Sequence, residues 1–249
     1  MKNWLQIGYN RIFLCVLLVL IAFNVLATTS DNEALLLISK PLFIPVFVMY
    51  YFVKNRYINT VFILCLVFSF LGDFSSVFFS NEQLLQVSSL FYCASYFCLV
   101  YAALMRMKKL KFDIVVGGYL IVVFAINAYL MYELFNVLRL HILNSAELAL
   151  FGIKSMALIV LCFVAFISYL NSDSKPSILF LSMALFFAFS DVLYYISNYY
   201  IYNLSFVMLD RVLHIFGLFL LFNYIIEQNR KRKKQIVEQR ISNPDQVLA

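Results

Sequence analysis

Runs of apolar residues, each about 20 long, recur along this chain with little between them. Eight can be marked, over residues 12–29, 34–53, 57–79, 84–105, 112–132, 148–170, 177–201 and 205–227. At 1.5 Å per residue, a run of that length crosses the ~30 Å hydrocarbon layer of a bilayer. Backbone groups in lipid must pair within their own segment, so each run predicts a transmembrane helix. The connections are short, except 133–147. The pattern predicts an all-α, polytopic bundle of eight transmembrane helices. It forms one integral-membrane domain over residues 1–249, with a basic tail at 228–249.

Composition agrees. The chain is 64% hydrophobic, 18% aromatic and only 13% charged, and its mean hydropathy is +0.89. Soluble domains are nearer half apolar and a quarter charged. Too little sequence lies outside the apolar runs for a further domain of about 50 residues. The five cysteines, Cys15, Cys65, Cys93, Cys98 and Cys162, lie within apolar runs and read as small buried hydrophobes. No CxxC pair points to a zinc or redox site.

The basic residues set the orientation. Of the 19 lysines and arginines, 15 fall on one predicted side, in the segments holding Lys2 and Arg11, Lys54 and Arg56, Arg106 to Lys111, Lys175, and Arg230 to Arg240. The other side holds Asp31, Glu33, Glu82, Glu133 and Arg139. An even number of spans with both termini cytoplasmic follows. The net charge of +6 therefore reflects membrane-surface residues and gives no reason to expect a nucleic-acid partner. The first run also has features of a signal peptide, with Val25-Leu26-Ala27 as a passable cleavage site, but its apolar stretch is long for that role. The compact loops fit a bacterial cytoplasmic membrane.

Two runs carry an aspartate in greasy surroundings: Phe70-Leu71-Gly72-Asp73 and Ala188-Phe189-Ser190-Asp191. An aspartate at membrane depth costs on the order of 2.5–3.5 kcal/mol on insertion scales, so it needs a partner or a role. Each follows a lysine in the preceding span, Lys40 before Asp73 and Lys154 before Asp191. His214 lies in the last span, with Asp210 and Arg211 shallower. By residue count these groups share a layer roughly 7–15 Å below the external surface. A single polar cavity is the expectation, with Gly72 allowing close approach of backbone or substrate. The plainer alternative is two lysine–aspartate salt bridges that pin helices together. His141 falls in the external loop and reads as solvated.

Setting 68–79 against 186–197 aligns Asp73 with Asp191 and suggests a parallel repeat of two four-helix halves, as in some transporters. Other chemistries find no support. There is no GxSxG elbow and no phosphate-binding glycine loop. With two histidines, one of them in a loop, a three-histidine zinc site cannot be built.

Ser39-Lys40-Pro41-Leu42, Phe68-Ser69-Phe70-Leu71-Gly72-Asp73 and Phe189-Ser190-Asp191-Val192-Leu193 together resemble the YhhN-like family of eight-span membrane proteins, which includes the lysoplasmalogenases. The resemblance runs over about residues 35–227 and rests on a KP in span two, a GD in span three and an SD in span seven. The chain departs from the family in span four, where Cys93-Ala94-Ser95-Tyr96 stands in place of an Ala-His pair and tyrosine. It departs again in the last span, where His214 and Gly217-Leu218 replace a tyrosine and a glutamine. Lys154 is also outside the family pattern.

The resemblance implies hydrolysis of the vinyl ether bond of a single-chain membrane lipid, with no metal, no organic cofactor and no obligate protein partner. That chemistry needs one carboxyl to protonate carbon and one carboxylate to steady the resulting cation. Asp73 and Asp191 are the expected catalytic pair, with Asp191 as acid and Asp73, beside Lys40, as carboxylate. Lys40, Gly72, Lys154, Ser190 and His214 are the expected pocket residues. A proton-coupled transporter using the same aspartates, and a lipid-binding protein without activity, are the alternatives.

Overall fold

The computed structural model describes residues 2–30, 35, 38–54, 59–78, 82–105, 114–142, 144–172, 174–201 and 203–242. The side chains of 2–10, 12–13, 53–54, 77–78, 82–85, 114–116, 141 and 231–242 lie outside that description. Among the described residues the structure is all-helical. The helices are α1 (Lys2–Thr29), α2 (Phe43–Lys54), α3 (Thr60–Phe78), α4 (Glu82–Leu104), α5 (Ile114–His141), α6 (Ser145–Asn171), α7 (Lys175–Tyr195) and α8 (Leu204–Ser242). A π-helical turn, Ile196–Tyr200, follows α7 directly.

Each predicted run overlaps one of these helices. Five helical segments are long and apolar enough to cross a membrane: Gln86–Leu104, Gly117–Leu140, Ser145–Asn171, Lys175–Tyr200 and Leu204–Arg230. The chain reads as an integral membrane protein. Leu14–Thr29, Phe43–Phe52 and Thr60–Ser76 are shorter apolar helical stretches.

Three sequence expectations need correction. Span two does not run as one helix from residue 34: residues 40–42 form a turn and α2 starts at Phe43. Pro41 disfavours helical backbone at the residue before it and supplies no N–H, so Lys40 sits in a break of the helical run. The long loop 133–147 is largely helix, because α5 runs on to His141 and α6 begins at Ser145. His141 is thus the last residue of α5, with its side chain outside the description. The tail is helical as far as Ser242, since α8 continues through the basic run without a glycine or proline to stop it. Arg56, Arg106, Lys108, Lys109, Lys111, Asp31 and Glu33, which carried much of the charge argument, lie outside the described residues.

The core is built by α2, α3, α4, α6, α7 and α8. Phe47, Leu161, Ala165, Met183, Ala184, Leu218, Leu221 and Phe222 are inaccessible at its centre. Small residues let these helices close on one another, as membrane packing requires. Gly217 is the sharpest case: a Cβ there would lie 2.6 Å from Cε1 of Phe187. Aromatic rings fill the rest, with Phe47 against Phe222 at 5.3 Å and Phe180 against Tyr224 at 5.1 Å between centroids. Helices α1 and α2 pack on α8. Helix α5 is peripheral: only 6% of its apolar stretch is buried, and it leans on α6 and the π turn.

Polar contacts fix α3 against α4. Ser69 and Ser95 share a hydrogen bond at 2.7 Å, and Ser95 Oγ donates to the Cys65 carbonyl at 3.1 Å. Ser88 Oγ donates to the Gly72 carbonyl at 2.9 Å. Helix α6 starts at Asn144, whose Oδ1 accepts from the Ala146 N–H at 3.0 Å, with Glu147 in the first turn where the helix dipole favours an acid. Tyr199 of the π turn donates to Glu147, closing that end of the bundle. At the opposite end Lys175 and Arg230 each meet Glu227 at 3.1 Å.

Candidate functional site

The helix faces bring five of the seven expected site residues to one cavity. Lys40, Lys154, Ser190, Asp191 and His214 line it, together with Asn24, Ser76, Tyr92, Tyr96, Tyr194, Asp210 and Arg211. Its volume is about 40 Å³. One water needs roughly 10–15 Å³ on that measure, so the cavity has room for about three.

Lys154 of α6 and Asp191 of α7 form a direct ion pair, with side chains 5% and 8% exposed. That contact is one of the two salt bridges of the plainer alternative. The pairing of Lys40 with Asp73 is corrected: Lys40 Nζ donates to Ser76 Oγ at 3.0 Å. The turn at 40–42 carries Lys40 to Ser76, three residues beyond Asp73. Ser76 Oγ in turn donates to the Asp73 carbonyl at 2.8 Å.

Asp73 is fully buried and stands behind the cavity wall. Its Oδ1 accepts from Tyr92 Oη at 2.5 Å and lies 3.6 Å from His214 Nε2. Asp73 Oδ2 and His214 Nε2 have no hydrogen-bond partner among the described residues. Gly72 explains the placement of Tyr92. A Cβ at Gly72 would lie 3.2 Å from three Tyr92 ring atoms, so the bare backbone lets the ring lie flat on α3. The close approach expected at Gly72 exists, and the group that makes it is Tyr92.

Tyrosines surround both lysines. Lys154 Nζ lies 5.1, 5.6 and 5.3 Å from the ring centroids of Tyr92, Tyr194 and Tyr195. Lys40 Nζ lies 5.9 Å from those of Tyr92 and Tyr194. The rings attract the ammonium groups electrostatically while excluding bulk water. Ser190 Oγ donates to Asp210 Oδ1 at 2.5 Å and joins α7 to α8. Arg211 Nη1 donates to Thr28 Oγ1 at 3.1 Å and reaches α1. Phe187, admitted by Gly217, packs against the His214 ring at 5.5 Å.

Tyr92, Tyr194 and Asn24 were not singled out from the sequence. Ser88, Tyr92 and Tyr96 are spaced four apart and share the face of α4 turned toward the site. That stripe was readable, but 17 tyrosines and 27 phenylalanines in one chain hide it.

A second, larger recess adjoins the first. It is an apolar groove of about 460 Å³ between α5, α6 and α7, walled by residues such as Leu120, Leu130, Leu158, Phe163 and Ala188. Asp191 lines both spaces. Among the described residues no group of three or more metal-ligating side chains was found. Comparison with protein-family models, with curated proteins and with solved structures gave no match.

Proposed function

We propose that this protein is a membrane-embedded hydrolase of a single-chain lipid, and that its resemblance to the lysoplasmalogenases extends to cleavage of a vinyl ether bond. In this reading all eight apolar runs cross the bilayer, the second as a segment broken at residues 40–42, with both termini cytoplasmic. The observation that carries it is the position of Asp191, between a polar cavity sized for water and an apolar groove sized for a lipid chain. Hydrolysis of a lipid needs those two environments to meet at an acid–base group.

The contacts suggest a division of labour. A tightly coupled lysine–aspartate pair shares its proton, existing as ammonium and carboxylate or as amine and acid. In the second form Asp191 gives its proton to the β-carbon of the vinyl ether. The double-bond electrons form the new C–H bond, and an oxocarbenium ion results. The Asp191 carboxylate, now beside that cation, steadies it. A cavity water adds to the cationic carbon while losing a proton to His214, which Asp73 orients from behind. His214 then returns its proton to the departing ether oxygen as the C–O bond breaks, the Asp191 carboxylate takes the hemiacetal hydroxyl proton, and a fatty aldehyde and an alcohol leave with both groups restored. Asp73 thereby acts through His214 and Tyr92, a different role from the direct carboxylate the sequence suggested.

Lipid mass spectrometry of membranes with and without the protein tests the hydrolase. A single-chain vinyl ether lipid should accumulate when the protein is deleted. An unchanged lipid profile would count against hydrolysis.

A further inference from the structure

We infer that the polar cavity carries an oxyanion subsite on its α1 flank, built by Asn24, Lys40 and Arg211, which takes a phosphate group. The subsite rests on the donors the cavity presents. That the phosphate belongs to the headgroup of an amphiphile rests on the hydrolase reading.

Asn24 carries the inference. It stands in the apolar stretch Leu14–Thr29 of α1 and is 2% exposed. It lines the cavity, and its Nδ2 has no hydrogen-bond partner among the described residues. A buried donor left unpaired is costly, so an amide held this way in an apolar helix calls for an acceptor from the cavity side.

The surroundings set the charge of that acceptor. Thr28 lies one turn beyond Asn24 on the same face of α1 and accepts from Arg211 Nη1 at 3.1 Å. That bond ties the guanidinium of α8 to the face that carries Asn24. Lys40 comes from the turn before α2, and its Nζ donates to Ser76 Oγ at 3.0 Å. An ammonium has three N–H donors, and Ser76 takes one. Asn24, Lys40 and Arg211 all line the cavity. Two cations and an amide donor select an anion rich in acceptors over a cation or a hydrocarbon.

The carboxylates lie on the other flank. Asp210 and Arg211 are neighbours on α8 and diverge by about 100° around its axis. Asp210 accepts from Ser190 of α7 at 2.5 Å, whereas Arg211 reaches α1. Asp191 is held by Lys154, and Asp73 accepts from Tyr92 behind the wall. The cavity is thus polarised, acidic toward α7 and basic toward α1. Lys40 and Lys154 share the rings of Tyr92 and Tyr194, so the subsite adjoins the Lys154–Asp191 pair. A phosphate held at Asn24 and Lys40 would set the linkage next to it at Asp191.

The test is ligand binding to the purified full-length protein in a neutral detergent, read from the rise in unfolding temperature as ligand is titrated. The probes are a lysophospholipid, the monoacylglycerol with the same chain and no phosphate, and inorganic phosphate. The lysophospholipid is expected to bind at least tenfold more tightly than the monoacylglycerol. Asn24→Asp sets a carboxylate against the anion, and Lys40→Gln removes a cation. Each should weaken the lysophospholipid tenfold or more and leave the monoacylglycerol unchanged. Asn24→Ala, which adds no buried charge and so does not threaten folding in the same way, should weaken it at least threefold. A rise with inorganic phosphate alone assigns the subsite to free phosphate. A rise with the lysophospholipid and none with inorganic phosphate assigns it to a headgroup. Equal binding of the two amphiphiles with no effect of inorganic phosphate, or binding that none of the three variants weakens, would overturn the subsite. Phosphate-dependent binding without aldehyde release by the wild type would keep the subsite and remove the hydrolase reading. Aldehyde release with equal binding of the two amphiphiles would do the reverse.

Discussion

Tyr92 donates to Asp73 across the α3–α4 interface at 2.5 Å, and it does so because Gly72 leaves its ring a flat place to lie. Three residues on two helices thereby place a carboxylate behind the cavity wall with its charge directed at His214. Replacing Tyr92 by Phe removes the donor and leaves a buried carboxylate oxygen unsatisfied. A stability loss of about 1–3 kcal/mol is expected. Thermal unfolding of the purified protein measures it. Gly72→Ala should cost a similar amount, because the ring must move by several tenths of an ångström. Unchanged stability in both would show that the contact carries no weight.

Gly217 and Phe187 form the tightest glycine contact in the core, and Phe187 also supports the His214 ring. A methyl group at 217 must displace Phe187, an overpacking change that typically costs 1–3 kcal/mol. Gly217→Ala is expected to lower the unfolding temperature and to slow turnover. Adding Phe187→Leu should relieve the clash and recover stability. Failure of the double variant to recover would place the strain elsewhere.

The helices were legible in the sequence because a run of apolar residues in lipid has few options other than helix. Their ends were not, because Pro41 and the absence of a stop signal after Arg230 act locally within runs that look uniform. The candidate site was legible through its charges: Lys154, Asp191 and His214 stand out in apolar sequence and do meet. The Lys40–Asp73 pairing failed because residue count gives depth and not the direction a turn imparts. Tyr92 stayed hidden since a tyrosine among so many aromatics carries no signal until a glycine opposite is seen to receive it. Asp191's position between two recesses depends on how far α5 stands from α7, which no local pattern encodes.

The proposed topology rests on the basic residues, many of them in connections. Reporter fusions after Lys54, Arg106, Lys175 and Arg230 should all report the cytoplasmic side. A single external signal among the four would contradict eight spans with both termini inside.

The ion pair of Lys154 and Asp191 separates pinning from chemistry. Asp191→Asn alone strands a buried ammonium, which typically costs 3–5 kcal/mol. Adding Lys154→Met removes that charge, and unfolding measurements should show stability restored to within about 1 kcal/mol of the wild type, since apolar replacement of a buried pair is often neutral. Little stability loss in the single variant would mean the pair is not desolvated as its burial suggests.

The most direct measurement is fatty aldehyde release from a lysoplasmalogen by the purified protein in detergent, where transport has no second compartment to act on. The wild type should release aldehyde. The Asp191→Asn, Lys154→Met double variant, refolded in stability, should be slower by at least about 100-fold, the lower end for loss of a general acid–base group. A double variant that is stable and as active as the wild type would make Asp191 a helix pin and not a catalyst. No aldehyde from the wild type would contradict the hydrolase itself.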